Sequence, residues 1–126
     1  YYSYVVTPEM FEAALAKIAI AAEGRRIERY GTGHLLFTRI EDSYEQALDV
    51  AAQSLGKRYA MDFRKAAARY AGLGRPAEVA AKIRAFHAAG VRHLVVDLVG
   101  PYERRPQQIE RFAAEVMPLL HDLRTA

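Results

Sequence analysis

An α/β fold with a parallel sheet is the class this sequence predicts, on three observations. A helix runs through a tight turn into an apolar strand over residues 76–99, a second apolar strand precedes an amphipathic helix over 34–56, and a β-rich opening stops at Thr7-Pro8. Each of these puts a strand against a helix at a spacing that a crossover unit needs.

The clearest unit is the helix at 76–89. Pro76 suits the first helical position, where a missing N–H costs nothing, and Gly90 can take the left-handed conformation that ends a helix. Val79, Ile83 and Phe86, with Ala80 or His87, recur at three- and four-residue spacing and form one apolar face, while Lys82 and Arg84 point away. Leu94 to Val99 is then apolar except for Asp97, the pattern of a strand covered on both sides. The strand His34–Ile40 reads the same way. Asp42 or Ser43 caps the helix after it, which carries Tyr44, Ala47, Leu48, Ala51 and Leu55 on one side and is expected to close at Gly56. The opening Tyr1–Val6 is the end of a strand, and Thr7 caps a helix starting at Pro8 with Phe11, Leu15 and Ile18 inward, ending near Glu23-Gly24. Residues 25–33 are polar and punctuated by glycine, so they read as a loop or at most a turn of helix.

Between the second and third strands, from Lys57 to Tyr70, lies a stretch with a shorter amphipathic segment, Met61–Tyr70, which counts as an insertion; such insertions sit near the functional rim of α/β barrels. Gly72-Leu-Gly74 reads as a loop leading into the 76–89 helix. Pro106 opens a last helix with Ile109, Phe112, Ala113 and Val116 inward, and Pro118 kinks or restarts it. The expectation is therefore one unit over 1–126 with three strands and five helical segments.

Composition narrows the function classes. With 52% hydrophobic and 26% charged residues the chain is ordinary for a soluble globular protein, and it has no apolar run long enough to span a membrane. Without cysteine it has neither disulfides nor thiolate metal sites, which fits a cytoplasmic location. His34, His87, His93 and His121 lack ligand spacing, so no metal is expected. The net charge of +3 is small, and its pairs Arg25-Arg26, Lys57-Arg58, Arg64-Lys65 and Arg104-Arg105 are scattered, unlike a nucleic-acid track. The chain opens on Tyr1-Tyr2 with no methionine and no leader, and reads as a piece of something longer.

Few residues point to chemistry. Asp97 reads either as a buried carboxylate with a shifted pKa or, the reading favoured here, as a carboxylate at a strand's end held by a backbone group or an arginine. Tyr2, Tyr4, Tyr59, Tyr70 and Tyr102 fall near the expected strand ends and insertion, as core or interface. Arg69, just before a glycine turn, is placed to fork onto a phosphate, although from the residue alone a surface arginine pairing with a nearby glutamate is the preferred reading. No GxxxxGK[ST], GxGxxG or Ser–His–Asp pattern occurs.

Several stretches together resemble one family. Thr7-Pro-Glu-Met-Phe11, Arg58-Tyr59, Arg69-Tyr70, Gly74-Arg-Pro-Ala-Glu-Val79, Ala89-Gly-Val-Arg-His-Leu-Val-Val96 and Phe112-Ala-Ala-Glu-Val-Met-Pro-Leu-Leu120 are similar to the carboxyl-terminal part of bacterial luciferase-like monooxygenases. The resemblance implies a partial TIM (β/α)8 barrel, its last three strands with their helices. It also implies an oxidoreductase that uses FMN with dioxygen, or in some branches a deazaflavin for hydride transfer. A whole barrel needs roughly 250 residues, and 126 are present. In deazaflavin-using relatives an arginine ahead of the last βα unit contacts the cofactor phosphate, and Arg69 stands in that place. Lys57 and Arg58 lie in the insertion that approaches the phosphate end.

The sequence departs from the family in two places. Arg75 stands where the relatives have a capping Thr or Ser, a loss of about 1 kcal/mol, and Tyr1-Tyr2 replaces the usual Gly-Trp. Most ring and catalytic contacts in the family come from the amino-terminal strands. The resemblance therefore names no catalytic residue and implies a piece inactive alone, with or without a bound cofactor. Open strand edges in such a piece call for cover, from the missing amino-terminal part or from self-association. The alternative from another class is a non-enzymatic α/β module that binds a protein or nucleotide partner.

Overall fold

A computed structural model describes residues 1–25 and 31–125. Four strands form one parallel sheet: β1 (Tyr2–Ser3), β2 (Gly33–Ile40), β3 (Gly72–Gly74) and β4 (His93–Leu98). Gly33 pairs with both Tyr2 and His93, and Thr38 pairs with both Gly72 and Leu98. A strand residue has only two edges, so β4 fills one edge of β2 while β1 and β3 share the other, one at each end. The fold is that of a partial (β/α)8 barrel, as expected.

The helices are α1 (Pro8–Ala21), α2 (Tyr44–Tyr59), α3 (Arg64–Tyr70), α4 (Pro76–Ala88) and α5 (Arg105–Arg111). Thr7 Oγ1 accepts from the Met10 N–H at 3.1 Å and Ser43 Oγ from the Gln46 N–H at 3.2 Å, so both expected caps form, with Ser43 rather than Asp42 serving α2. Arg75 offers α4 no side-chain oxygen. Glu78 supplies half of the cap in return, accepting from the Arg75 N–H at 3.1 Å.

Alternation along β2 divides the core in two. Leu36 and Ile40 pack with Phe11 of α1, Val79, Ile83 and Phe86 of α4, and Val116. Phe37 faces the other way, onto Ala47, Leu48, Ala51 and Leu55 of α2, Ala67 of α3, and Val99. Helices α2 and α4 thus bury the stripes their periodicity marks. His34 belongs to the first core: it is 1% exposed, its Nδ1 lies 2.9 Å from Ser3 Oγ, and its ring stacks on Phe86 at 4.1 Å. Loss of water pushes its pKa down to about 4, against an opposing hydrogen bond from Ser3.

The structure corrects five expectations. Gly72–Gly74 is a strand beside Thr38–Ile40 and not a loop, which makes four strands. The helix expected to close at Gly56 runs on to Tyr59; Gly56 serves close approach instead, since a Cβ there would lie 3.2 Å from the Met61 carbonyl where the chain folds back. β4, expected to be covered on both sides, has no buried residue, because its second edge and part of one face have no cover among the described residues. Ile109 and Ala113, expected inward, are exposed, and Gln108 is buried in their place. The tyrosines do not gather: Tyr59 stacks on Phe63 at 5.2 Å, while Tyr2, Tyr4 and Tyr102 stand exposed.

Gln108 explains how the last helix is set. Its Oε1 accepts from the Ile40 N–H at 3.0 Å and its Nε2 donates to the Ile40 carbonyl at 2.9 Å, so the side chain takes over from β4 where that strand stops pairing. After α5 the backbone passes through a π-helical turn (Phe112–Val116) into a 3-10 run (Met117–Thr125). Pro118 lacks the N–H that an α-helix would use there, so the ladder changes where the kink is expected. Arg84 of α4 ties the run down, meeting both Asp122 carboxylate oxygens at 2.6 and 3.1 Å. The loop expected over 25–33 falls largely on 26–30, outside the described residues.

Candidate functional site

The carboxyl ends of β2 and β4 bring together a group of charges, and in open and closed α/β sheets this is the end that binds ligands. Arg39, next to last in β2, has a side chain only 8% exposed. Its Nη1 donates to the Val99 carbonyl at 3.4 Å and its Nη2 lies 3.5 Å from Glu41 Oε1. Both contacts are long, and its Nε is buried without a partner among the described residues. Gly100 allows the loop after β4 to lie against this guanidinium: its φ is +132°, and a Cβ there would sit 2.5 Å from Arg39 Nη1.

Asp97, on the same face of β4, takes the favoured sequence reading. It accepts from Arg58 Nη1 at 2.7 Å, and Arg105 Nη2 stands 3.8 Å from its other oxygen. That bond raises the Arg58 pKa still further, so the guanidinium is charged at all working pH. Arg58 also lies over the Phe37 ring, 5.8 Å from its centroid. Arg105 keeps a buried Nε without a partner among the described residues.

Two hollows meet at Arg58. One of about 560 Å³ is lined by Gln53, Ser54, Lys57, Arg58 and the Gly100-Pro101 turn. The other, about 390 Å³, is bounded by Leu35, Arg58, Asp97 and Arg105. In their lining Lys57, Arg58 and Arg105 stand against Asp97, three positive groups to one negative, a balance that favours an anion, with Arg39 packed behind Gly100.

Of the residues singled out in the sequence, Lys57 and Arg58 are therefore brought to one hollow at the strand ends. Arg69 is not in its lining. Its guanidinium lies 5.2 Å from the Tyr70 ring centroid, exposed at the end of α3, and its carbonyl accepts from Lys82 Nζ at 3.2 Å. Desolvation lowers the pKa of that lysine, against the pull of Glu9. Arg39 and Arg105 were not anticipated. The signal for Arg39 was present: a guanidinium inside an apolar strand is as costly as the carboxylate of Asp97, and it calls for the same explanation.

No family model matches the chain, and no curated protein matches it. Among solved structures it is similar to the coenzyme F420 dependent tetrahydromethanopterin reductase from Methanopyrus kandleri, with a TM-score of 0.62 at 20% identity over 89% of this chain. The chain spans 42% of that reductase's length. At this identity the likeness establishes the fold. No described helix is long and apolar enough to cross a membrane.

Proposed function

We propose that this chain is the carboxyl-terminal part of a luciferase-like oxidoreductase that uses a flavin or a deazaflavin, that it lies in the cytoplasm, and that it is inactive alone. The observation that carries the reading is the sheet itself, whose parallel strands and helices superpose on a reductase that uses a deazaflavin coenzyme. Fold alone hosts many chemistries. What adds to it is the charge at the strand ends: a phosphate-bearing cofactor needs cationic donors there, and Lys57 and Arg58 fit that need, backed by the buried guanidinium of Arg39.

Such a cofactor supplies hydride transfer or oxygen activation; the residues of this chain would hold only its phosphate end. Lys57 and Arg58 are the proposed contacts in the hollow, with Arg69 a separate cation beyond its lining. The same reading accounts for the open edge of β4, which in a complete barrel pairs with a further strand. We propose that this edge is covered by the amino-terminal part of the barrel or by a second copy of the chain.

FMN and riboflavin titrated into the protein, followed by flavin fluorescence, test the phosphate site because the two differ only in that group. FMN should bind about tenfold more tightly than riboflavin, and Lys57→Ala or Arg58→Ala should each remove most of that preference. Equal binding of the two, or a preference that survives both substitutions, sinks the assignment. Arg69→Ala distinguishes the sequence resemblance from the geometry: a loss equal to that of Arg58→Ala returns the phosphate to the Arg69 end.

A further inference from the structure

On the opposite face of the sheet, between α4, β4 and the carboxyl-terminal helical run, lies a third cavity, of about 300 Å³. It shares no lining residue with the hollow that holds Lys57, and only Val96 with the hollow at Asp97. Alternation along β4 sends Leu94 and Val96 into it, and Val95 and Asp97 to the other side. Its walls are apolar, formed chiefly by Phe86, Leu94, Val96, Phe112 and Leu120. Phe112 opens the π-helical turn, a distortion that recurs at binding sites.

Two polar side chains interrupt this lining. His87 Nε2 is sealed from solvent yet has no hydrogen-bond partner among the described residues. A buried nitrogen left unpaired is costly to the fold, and an arriving ligand is one way such a cost is met. Arg92 stands exposed beside it and is held in place, its Nη1 donating to the His87 carbonyl at 2.7 Å and to the Val91 carbonyl at 2.9 Å. That leaves its other nitrogens without a protein acceptor among the described residues. An apolar chamber with one buried imidazole nitrogen and one fixed guanidinium is complementary to an apolar body that ends in a carboxylate.

We infer that this cavity is a binding site for a small carboxylic acid with an apolar chain or ring, its body among Phe86, Leu94, Val96 and Phe112 and its carboxylate shared by Arg92 and His87 Nε2. The site is distinct from the phosphate hollow and stands whether or not a flavin binds there.

Octanoate and 1-octanol, titrated separately and followed by NMR, make the test. Octanoate should bind one per chain and at least about fivefold more tightly than octanol, as a charge-assisted pair adds about 1 kcal/mol or more. Shifted signals should centre on Val96, Phe112 and Leu120. Arg92→Gln should abolish the preference for the acid, and Val96→Trp, which fills the chamber, should weaken both ligands about tenfold or more. Val95→Lys, on the opposite face, should leave binding intact. Equal affinity for acid and alcohol in the unaltered protein overturns the inference without recourse to any variant. So does binding that survives Val96→Trp in a folded protein, or that disappears in Val95→Lys.

Discussion

β2 and β4 lie side by side, paired from Gly33 with His93 to Thr38 with Leu98, and both are apolar strands interrupted by one charged residue. Their surroundings nevertheless differ. Every residue of β2 except Leu35 is buried, and no residue of β4 is. The difference shows that apolar composition records the cover a strand is suited to, while burial records the cover it has. β2 has neighbours on both edges and helices on both faces; β4 has one edge and part of one face without cover among the described residues.

The largest expected effect follows from the buried strand. Leu36→Ala removes a side chain with 0% exposure from the first core and should cost about 3 to 4 kcal/mol, whereas Leu94→Ala, on β4 and partly buried against the same core, should cost about half as much. Urea denaturation of the two variants measures this directly. Equal losses would mean that β4 is as well covered as β2.

His34 sharpens the comparison from the same strand. Its folded pKa of about 4 lies below the ordinary 6.5, so between those values the unfolded chain binds more protons than the folded one. Stability is then full above about pH 6.5 and falls as pH drops toward 4, by about 3 kcal/mol in all. His34→Phe should flatten that part of the profile. A parallel acid profile in both proteins would mean that the ring already has access to water. His93, which starts β4 one pairing step away, is exposed and offers a control with no comparable burial.

At the end of the pair, Gln108 substitutes for the strand that β4 no longer supplies. Gln108→Ala leaves the Ile40 N–H and carbonyl without these partners and should cost about 2 kcal/mol. Gln108→Glu retains one acceptor and loses the donor to the carbonyl, and it should fall between. Hydrogen exchange at the Ile40 amide reads the effect at its source: protection should drop in Gln108→Ala while that of Leu36 changes only with global stability.

What could be read from the sequence divides along the same line. The buried stripes of α2 and α4, the strand at 34–40 and the caps at Thr7 and Ser43 were all visible, because periodicity and capping are local. β3 was not, since three residues with two glycines carry no side-chain pattern. Nor was Gln108, whose partner lies 68 residues away and leaves no mark in the helix that carries it. In the site, Asp97 meets an arginine as the favoured reading has it, while Lys57 and Arg58, expected in the insertion, belong to the last turn of α2. The separation of Arg69 from them could not be read, because order along the chain does not say where a long side chain ends.

The smallest expected change in stability is also the most discriminating about assembly. Val95, 37% exposed, sits on the part of β4 without cover among the described residues, on the face away from α4. In an isolated chain, Val95→Lys should alter stability by less than about 0.5 kcal/mol, as surface substitutions do. If a second copy or further barrel strands cover that face, the same lysine must be buried against apolar groups, at a cost of several kcal/mol. Light scattering should therefore show the unaltered chain as a dimer or larger assembly of 14.1 kDa units at micromolar concentration, and Val95→Lys as a monomer with nearly the same resistance to urea. A monomer in both cases would mean that β4 tolerates its open edge in solution and that self-association does not supply its cover. An assembly in both would move the contact off this face, to the remaining free surface of the sheet.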